Sequence, residues 1–210
     1  MLLRHCLCIL LLAGLARGER KTIALGLLGG VSGSSFWGKD VDAFDAAVWP
    51  TTGFSLALHL PVFIGLETDL LYTSKGASFS SKENGKIKVN TIKAHCLEIP
   101  LMIKITAPTG NEVQPIFFGG PSIARIVKKD SYTEYITVGQ GGTITPEDAI
   151  PLIEAGNLVD YDFSLAVGGG LEWGLGTFQM RFNLGEQSLD KTEAKDVRTF
   201  TLAIMAGFVF

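Results

Sequence analysis

Three observations predict an all-β fold, an eight-stranded antiparallel up-and-down transmembrane β-barrel with short periplasmic turns and long extracellular loops. First, Phe200, Leu202, Ile204, Ala206, Phe208 and Phe210 share one face of a final strand, and the chain ends on an aromatic residue. Apolar-out alternation over about ten residues is the signature of a membrane-spanning barrel strand. Second, mean hydropathy is positive at +0.30, yet no window after the N-terminus approaches the roughly 20 apolar residues a spanning helix needs. Third, the connections alternate between tight turns and long loops, the expected asymmetry of an outer-membrane barrel.

At the N-terminus, Arg4, the apolar run Leu7–Ala13 and the small residues around Gly14 and Ala16–Gly18 read as a secretory signal peptide over residues 1–18. The barrel domain is expected over 19–210 and is exported to the cell outer membrane. Cys6 and Cys8 come too early for a lipoprotein signal. Cleavage removes Arg4 and Arg17, leaving 16 basic against 21 acidic residues and a net charge of −5. That balance, with no basic cluster, argues against nucleic acid. Cys96 is then the only cysteine, which excludes an intrachain disulfide and a cysteine-built metal site.

The first strand is expected over Thr22–Val31, with Ile23, Leu25, Leu27 and Val31 on one face. The second is Thr51–Leu60, where Phe54, Leu56, Leu58 and Leu60 oppose Gly53, Ser55, Ala57 and His59. The third, Val62–Tyr72, sets Leu66, Leu70 and Tyr72 against Glu67 and Asp69. In the fourth, Ile87–Ile105, Leu97, Ile99, Leu101, Ile103 and Ile105 alternate with Glu98, Pro100, Met102 and Lys104. Pro100 has no N–H to donate, so a bulge or a missing ladder bond is expected there.

The fifth strand, Gln114–Val127, contains Gly119, Gly120 and Pro121. The sixth, Val159–Trp173, places Tyr161, Phe163, Leu165, Val167, Leu171 and Trp173 together. In the seventh, Thr177–Leu184, Phe178, Met180, Phe182 and Leu184 oppose Gln179, Arg181 and Asn183; the eighth is Arg198–Phe210. Tight turns fall at His59–Pro61, Ala107–Glu112 and Gly174–Gly176. Long loops are expected at Ser32–Pro50, Thr73–Lys86, Lys128–Leu158 and Gly185–Val197. Within the third loop, Thr145-Pro146-Glu147-Asp148 has the cap, first-position proline and first-turn acids of a helix start; Pro151 and Gly156 limit it to short turns.

Several stretches resemble the PorT-like outer-membrane β-barrel family of Bacteroidota: Leu25–Val31, Leu70–Ala77, Leu97–Lys104, Phe118–Pro121 and Val167–Glu172. The resemblance spans the mature chain. It implies an eight-stranded outer-membrane barrel and no reaction; one branch of that family is linked to a secretion system.

The inward faces collect charge. Glu67, Asp69, Glu98 and Glu172, with Lys104, Arg125 and Arg181, are expected to form a luminal network. An eight-stranded barrel is just wide enough for side chains to fill it, and enclosed charges must pair. Glu98 is expected to contact Lys104, Arg125 or Arg181. A polar ion or solute path is the alternative for the same residues. Glu67 and Asp69 stand two apart, as any alternating pair does, and do not suggest acid–base catalysis.

The two histidines of the mature chain, His59 and His95, fall beside a periplasmic turn and at the outer lipid interface, without evident triad partners. Tyr72, Tyr161, Trp173 and Phe210 read as interface girdles; Trp37 and Trp49 are the exceptions, placed in the first external loop where surface contact with a partner is the alternative. No catalytic, metal or cofactor residue is expected. The expected function is a non-enzymatic barrel with a structural, interaction or assembly role, accessory to protein secretion in the narrower reading. A small pore and an outer-leaflet lipid-modifying enzyme are the alternatives. A soluble ligand-binding barrel would need an apolar interior and does not fit. Expected partners are outer-membrane lipid, the barrel-assembly machinery through the strand ending in Phe210, and a secretion-system or extracellular protein.

Overall fold

The computed structural model describes residues 22–39, 46–60, 63–83, 86–107, 109, 112–137, 158–190 and 196–210. The signal segment and the helix start at Thr145–Asp148 lie outside them. Eight antiparallel strands form one closed barrel in sequence order: β1 Ile23–Trp37, β2 Ala47–His59, β3 Ile64–Glu83, β4 Lys86–Thr106, β5 Val113–Thr137, β6 Tyr161–Trp173, β7 Gly176–Gly185 and β8 Arg198–Val209.

Closure joins β1 to β8 from Gly26↔Val209 to Trp37↔Arg198. Phe210 extends the seam: its N–H donates to the Leu25 carbonyl at 2.7 Å, and the Leu25 N–H donates to the Phe210 carbonyl at 3.0 Å. Within the closed cylinder no edge is left open, so the backbone is satisfied internally there, as lipid requires.

The faces follow sequence parity. On β4, Leu97, Ile99, Leu101, Ile103 and Ile105 are 39–58% exposed, while Cys96, Glu98, Met102 and Lys104 are at most 2% exposed. Exposed apolar rows of this kind continue on every strand, including Phe54, Leu70, Phe117, Phe163, Phe178 and Phe208. They form the lipid-facing wall of a membrane barrel.

Pro100 does interrupt pairing. The β3–β4 ladder skips Asp69 and Leu70 opposite Pro100 and Ile99, and the Thr68 hydroxyl donates to the Pro100 carbonyl at 2.9 Å. The register shift itself lies earlier on β4, between His95 and Cys96.

Three expectations are corrected. Thr73–Lys86 is not a long loop: β3 and β4 stay paired from Ile64↔Ile105 to Glu83↔Lys86. β5 runs alongside as far as Lys86↔Thr137, so three strands rise beyond the membrane band as an arm. The β3 stretch Thr73–Glu83 is mostly small and polar, so no apolar row reveals it as a strand. Trp49 is not in a loop either; it belongs to β2 and is buried inward, with Lys93 over its ring at 5.8 Å. Likewise Trp37 ends β1, donating from Nε1 to the Thr199 carbonyl at 3.0 Å.

β2 follows β3 only to Thr52↔Tyr72. Beyond that point β3 leans across the mouth toward β1. Thr73 and Ser32 share a hydroxyl contact at 3.2 Å, and the Gly76 N–H donates to the Ser34 hydroxyl at 3.1 Å. Gly76 has φ +155°, and a Cβ there would collide with the Ile92 carbonyl, so this crossing requires glycine.

Candidate functional site: a charged lumen under an apolar cap

The side chains that alternate inward are mostly charged or polar, so closing the sheet forces them together. Lys104 is 2% exposed and donates to Glu67 at 2.8 Å and also to Glu172. The Gln179 amide donates to the other Glu67 oxygen at 3.2 Å. Farther along, Arg181 Nη2 lies 2.7 Å from Asp69 Oδ2 and donates to Gln179 at 3.1 Å. The Arg181–Asp69 contact is an ion pair by distance but lacks hydrogen-bond alignment, leaving both Asp69 oxygens unbonded among the described residues.

Arg181 also stacks on the Phe118 ring at 5.2 Å. That ring fits because Gly168 faces it: a Cβ on Gly168 would stand 2.5 Å from Phe118 Cε2. A run read only as glycine-rich in the sequence therefore makes room for the lumen's aromatic platform.

The outermost charged cluster is centred on Lys75. Its ammonium lies 3.1 Å from Glu98 and 2.9 Å from Asp162, and all three are at most 2% exposed. Glu98 accepts from Ser122 at 3.1 Å and Asn183 at 2.5 Å; Asp162 accepts from Thr199 at 2.9 Å. Glu98 thus finds its cation in Lys75, not in Lys104, Arg125 or Arg181.

Above this cluster the lumen becomes apolar. Phe36, Ala77, Ile92, Ala94, Cys96, Ala124, Ile126, Leu158, Val159, Leu189 and Val197 form one buried cluster. Segments flanking the outer loops supply part of it: Leu158 bridges to Asp190, and the Val159 N–H donates to the Leu189 carbonyl at 2.9 Å. Between cap and charges remains a cavity of about 10 Å³ lined by Lys75, Cys96 and Asp162, room for about one water.

Of the seven residues expected in the luminal network, Glu67, Asp69, Glu98, Lys104 and Arg181 are buried inside and Glu172 is partly buried there. Arg125 is a correction. It is exposed on the outer wall, in phase with Ile123 and out of phase with buried Ala124 and Ile126. Strand parity, followed strictly from Ile123, would have placed it there. Two network members escaped the sequence reading. Asp162 alternates with Phe163 and was legible from parity. Lys75 continues the odd-numbered inward row of Glu67 and Asp69, but only once β3 is known to extend beyond Tyr72.

On the outer wall His95 does have partners. Its Nδ1 lies 2.8 Å from the Tyr72 hydroxyl and 3.4 Å from that of Ser74, and its Nε2 lies 3.2 Å from Asp130. Asp130 also accepts from Lys128 at 2.9 Å. Ser74 is 3% exposed, and Tyr72 holds the nearer position on Nδ1, so the serine hydroxyl is poorly placed as a nucleophile. Among the described residues, no group of three or more His, Cys, Asp or Glu side chains forms a metal site.

A closed eight-stranded cylinder with apolar residues outside and ionised ones inside defines a transmembrane β-barrel. The outer membrane protein beta-barrel domain family matches residues 16–190, and the chain belongs to that family, which places it in the outer membrane. A search of curated proteins finds no match. Solved structures with similarity include Neisserial surface protein A, 10% identical with TM-score 0.47 over 90% of this chain and 97% of that one. Ail of Yersinia pestis is 16% identical with TM-score 0.38 over 89% and 98%. OprG of Pseudomonas aeruginosa is 11% identical with TM-score 0.41 over 89% and 95%.

Proposed function

We propose that this chain is a non-enzymatic outer-membrane barrel that acts through its outer surface, in an interaction or assembly role, and not by passing solutes. The filled lumen carries this reading. Three successive ion-pair groups, on Lys104, Arg181 and Lys75, occupy the interior, and an apolar cluster closes it above them. A path for ions would have to break buried pairs, each costing several kcal/mol when one partner is left alone. The three-stranded arm meanwhile offers extended backbone beyond the membrane, where a protein partner can reach it. Accessory service to protein secretion, suggested by the PorT-like resemblance, is the narrower form of the proposal. The assembly machinery would engage the strand ending in Phe210.

Planar-bilayer recording tests the central claim. The reconstituted protein should give no steady unit current; a reproducible one would replace this reading with the pore. Tagged protein solubilised in detergent should co-purify secretion components if the narrower form holds. Unchanged lipid A mass spectra on deleting the gene are expected, and an altered species would favour the enzyme.

A further inference from the structure

We infer that the outer wall around Arg125 is a binding site for the phosphate of an outer-leaflet lipid headgroup. The spanning strands turn almost only apolar residues toward lipid. Two arginines break this rule among the described residues, Arg125 and Arg198. Arg198 is already satisfied: it donates to Asp196 at 2.9 Å and stacks on Trp37 at 5.3 Å. Arg125 is exposed, and no hydrogen bond or ion pair holds its guanidinium among the described residues.

Depth makes an external anion the natural partner. Arg125 stands twelve residues beyond Val113, the start of β5. A strand tilted by about 45° climbs roughly 2.4 Å per residue along the membrane normal, so Arg125 lies about 28 Å above that turn. The apolar band is about 25 Å tall, which puts the guanidinium at headgroup level. Cross-strand register sets an exposed aromatic beside it: Arg125 pairs with Tyr161, and the row continues the other way through Leu97 to Tyr72. Tyr72 and Tyr161 are 44% and 46% exposed on that row.

A second feature aims another cation at the same place. The register shift opposite His95 and Cys96 inserts Val127 into β5 without a partner, because Cys96 pairs with Ile126 and His95 with Lys128. Such a bulge re-aims the next side chain. Val127 and Lys128 are consecutive yet both exposed, and the Lys128 side chain is 68% exposed. Lys128 thereby joins Arg125 on the outer face. A planar guanidinium offers paired donors matched to phosphate oxygens, while the Lys128 ammonium, held by Asp130 at 2.9 Å, adds positive charge beside it and not a free donor. Acids at this rim are spoken for: Asp130 by Lys128 and His95, Asp160 by Lys129 at 3.1 Å.

The test uses the full mature protein in phosphatidylcholine nanodiscs doped with phosphatidic acid, with native mass spectrometry reading the lipid retained on ejection. Wild type should retain phosphatidic acid in preference to phosphatidylcholine. R125Q should weaken that retention about tenfold, as expected for loss of a paired charge-assisted contact. R125K should recover part of it, and K128Q, which removes a nearby positive charge and leaves Asp130 without its lysine, should lose about threefold. Excess inorganic phosphate should leave the lipid in place. Retention by R125Q and K128Q equal to wild type would overturn the inference. Displacement by inorganic phosphate would also overturn it, by making this a free-anion site. Heat-dependent gel mobility establishes that each variant is a folded barrel before its retention is read.

Discussion

Lys75→Met tests the luminal network most directly. Lys75 is the one cation within ion-pair distance of both Glu98, at 3.1 Å, and Asp162, at 2.9 Å, among the described residues. Methionine keeps the length of the side chain and removes its charge. Two carboxylates, each about 1% exposed, would then be left without a cation. Removing one partner of a buried pair costs about 3–5 kcal/mol, and this lysine serves two, so a loss of about 4 kcal/mol is expected. With a urea m-value of about 2 kcal/mol per molar, the unfolding midpoint should fall by about 2 M. The assay is urea unfolding in phosphatidylcholine vesicles, followed by tryptophan fluorescence and heat-dependent gel mobility. The triple variant K75M/E98Q/D162N should regain more than half of the loss, since the amide carbonyl that E98Q introduces can still accept from Ser122 and Asn183. A K75M midpoint within about 0.3 M of wild type, equivalent to a surface substitution, would refute the reasoning. So would a triple variant no more stable than the single one.

The other predictions concern the aromatic platform, the arm and the rim. Gly168→Ala sets a methyl 2.3 Å from the Met180 carbonyl oxygen and 2.5 Å from the Phe118 ring, and should cost at least about 1–3 kcal/mol, the usual range for overpacking, in the same unfolding assay. Replacing residues 79–90 with a two-residue turn, which reconnects the Ser78↔Thr91 pair, should leave heat-dependent mobility unchanged, because the arm lies outside the barrel's closed ladder. The hydrogen bond from Lys128 holds the Asp130 carboxyl below its ordinary value of 3.8, with the Lys128 charge and His95 adding to it. Lys93 faces it across the ladder. A depressed folded-state pKa means the stabilisation is present above the ordinary carboxylate range and is lost as pH falls through the lowered value. A carbon-13 NMR titration of Asp130 in micelles should give a midpoint below 3.8, and Lys128→Ala should raise it.

The membrane-spanning part of the barrel was legible because lipid outside and packed charge inside impose a two-residue period. Leu97 to Ile105 and Phe178 to Leu184 show it without ambiguity. The period also located five of the buried luminal charges. It failed where its cause was missing. From Thr73 to Glu83 the residues are mostly small or polar, so no apolar row marks the outer face, and a paired strand looked like a loop. Arg125 misled for a related reason: a charge was assigned inward by its chemistry, although its parity with Ile123 pointed outward.

The amino-acid order alone thus determined the strand count, the up-and-down order and the two faces, because these follow from local alternation and turn spacing. Only the closed tertiary structure decided which charges meet, since partners such as Lys75 and Asp162 are separated by 87 positions and are joined by the curvature of the sheet. The cap and the aim of Lys128 depend equally on closure and register, which no local pattern records.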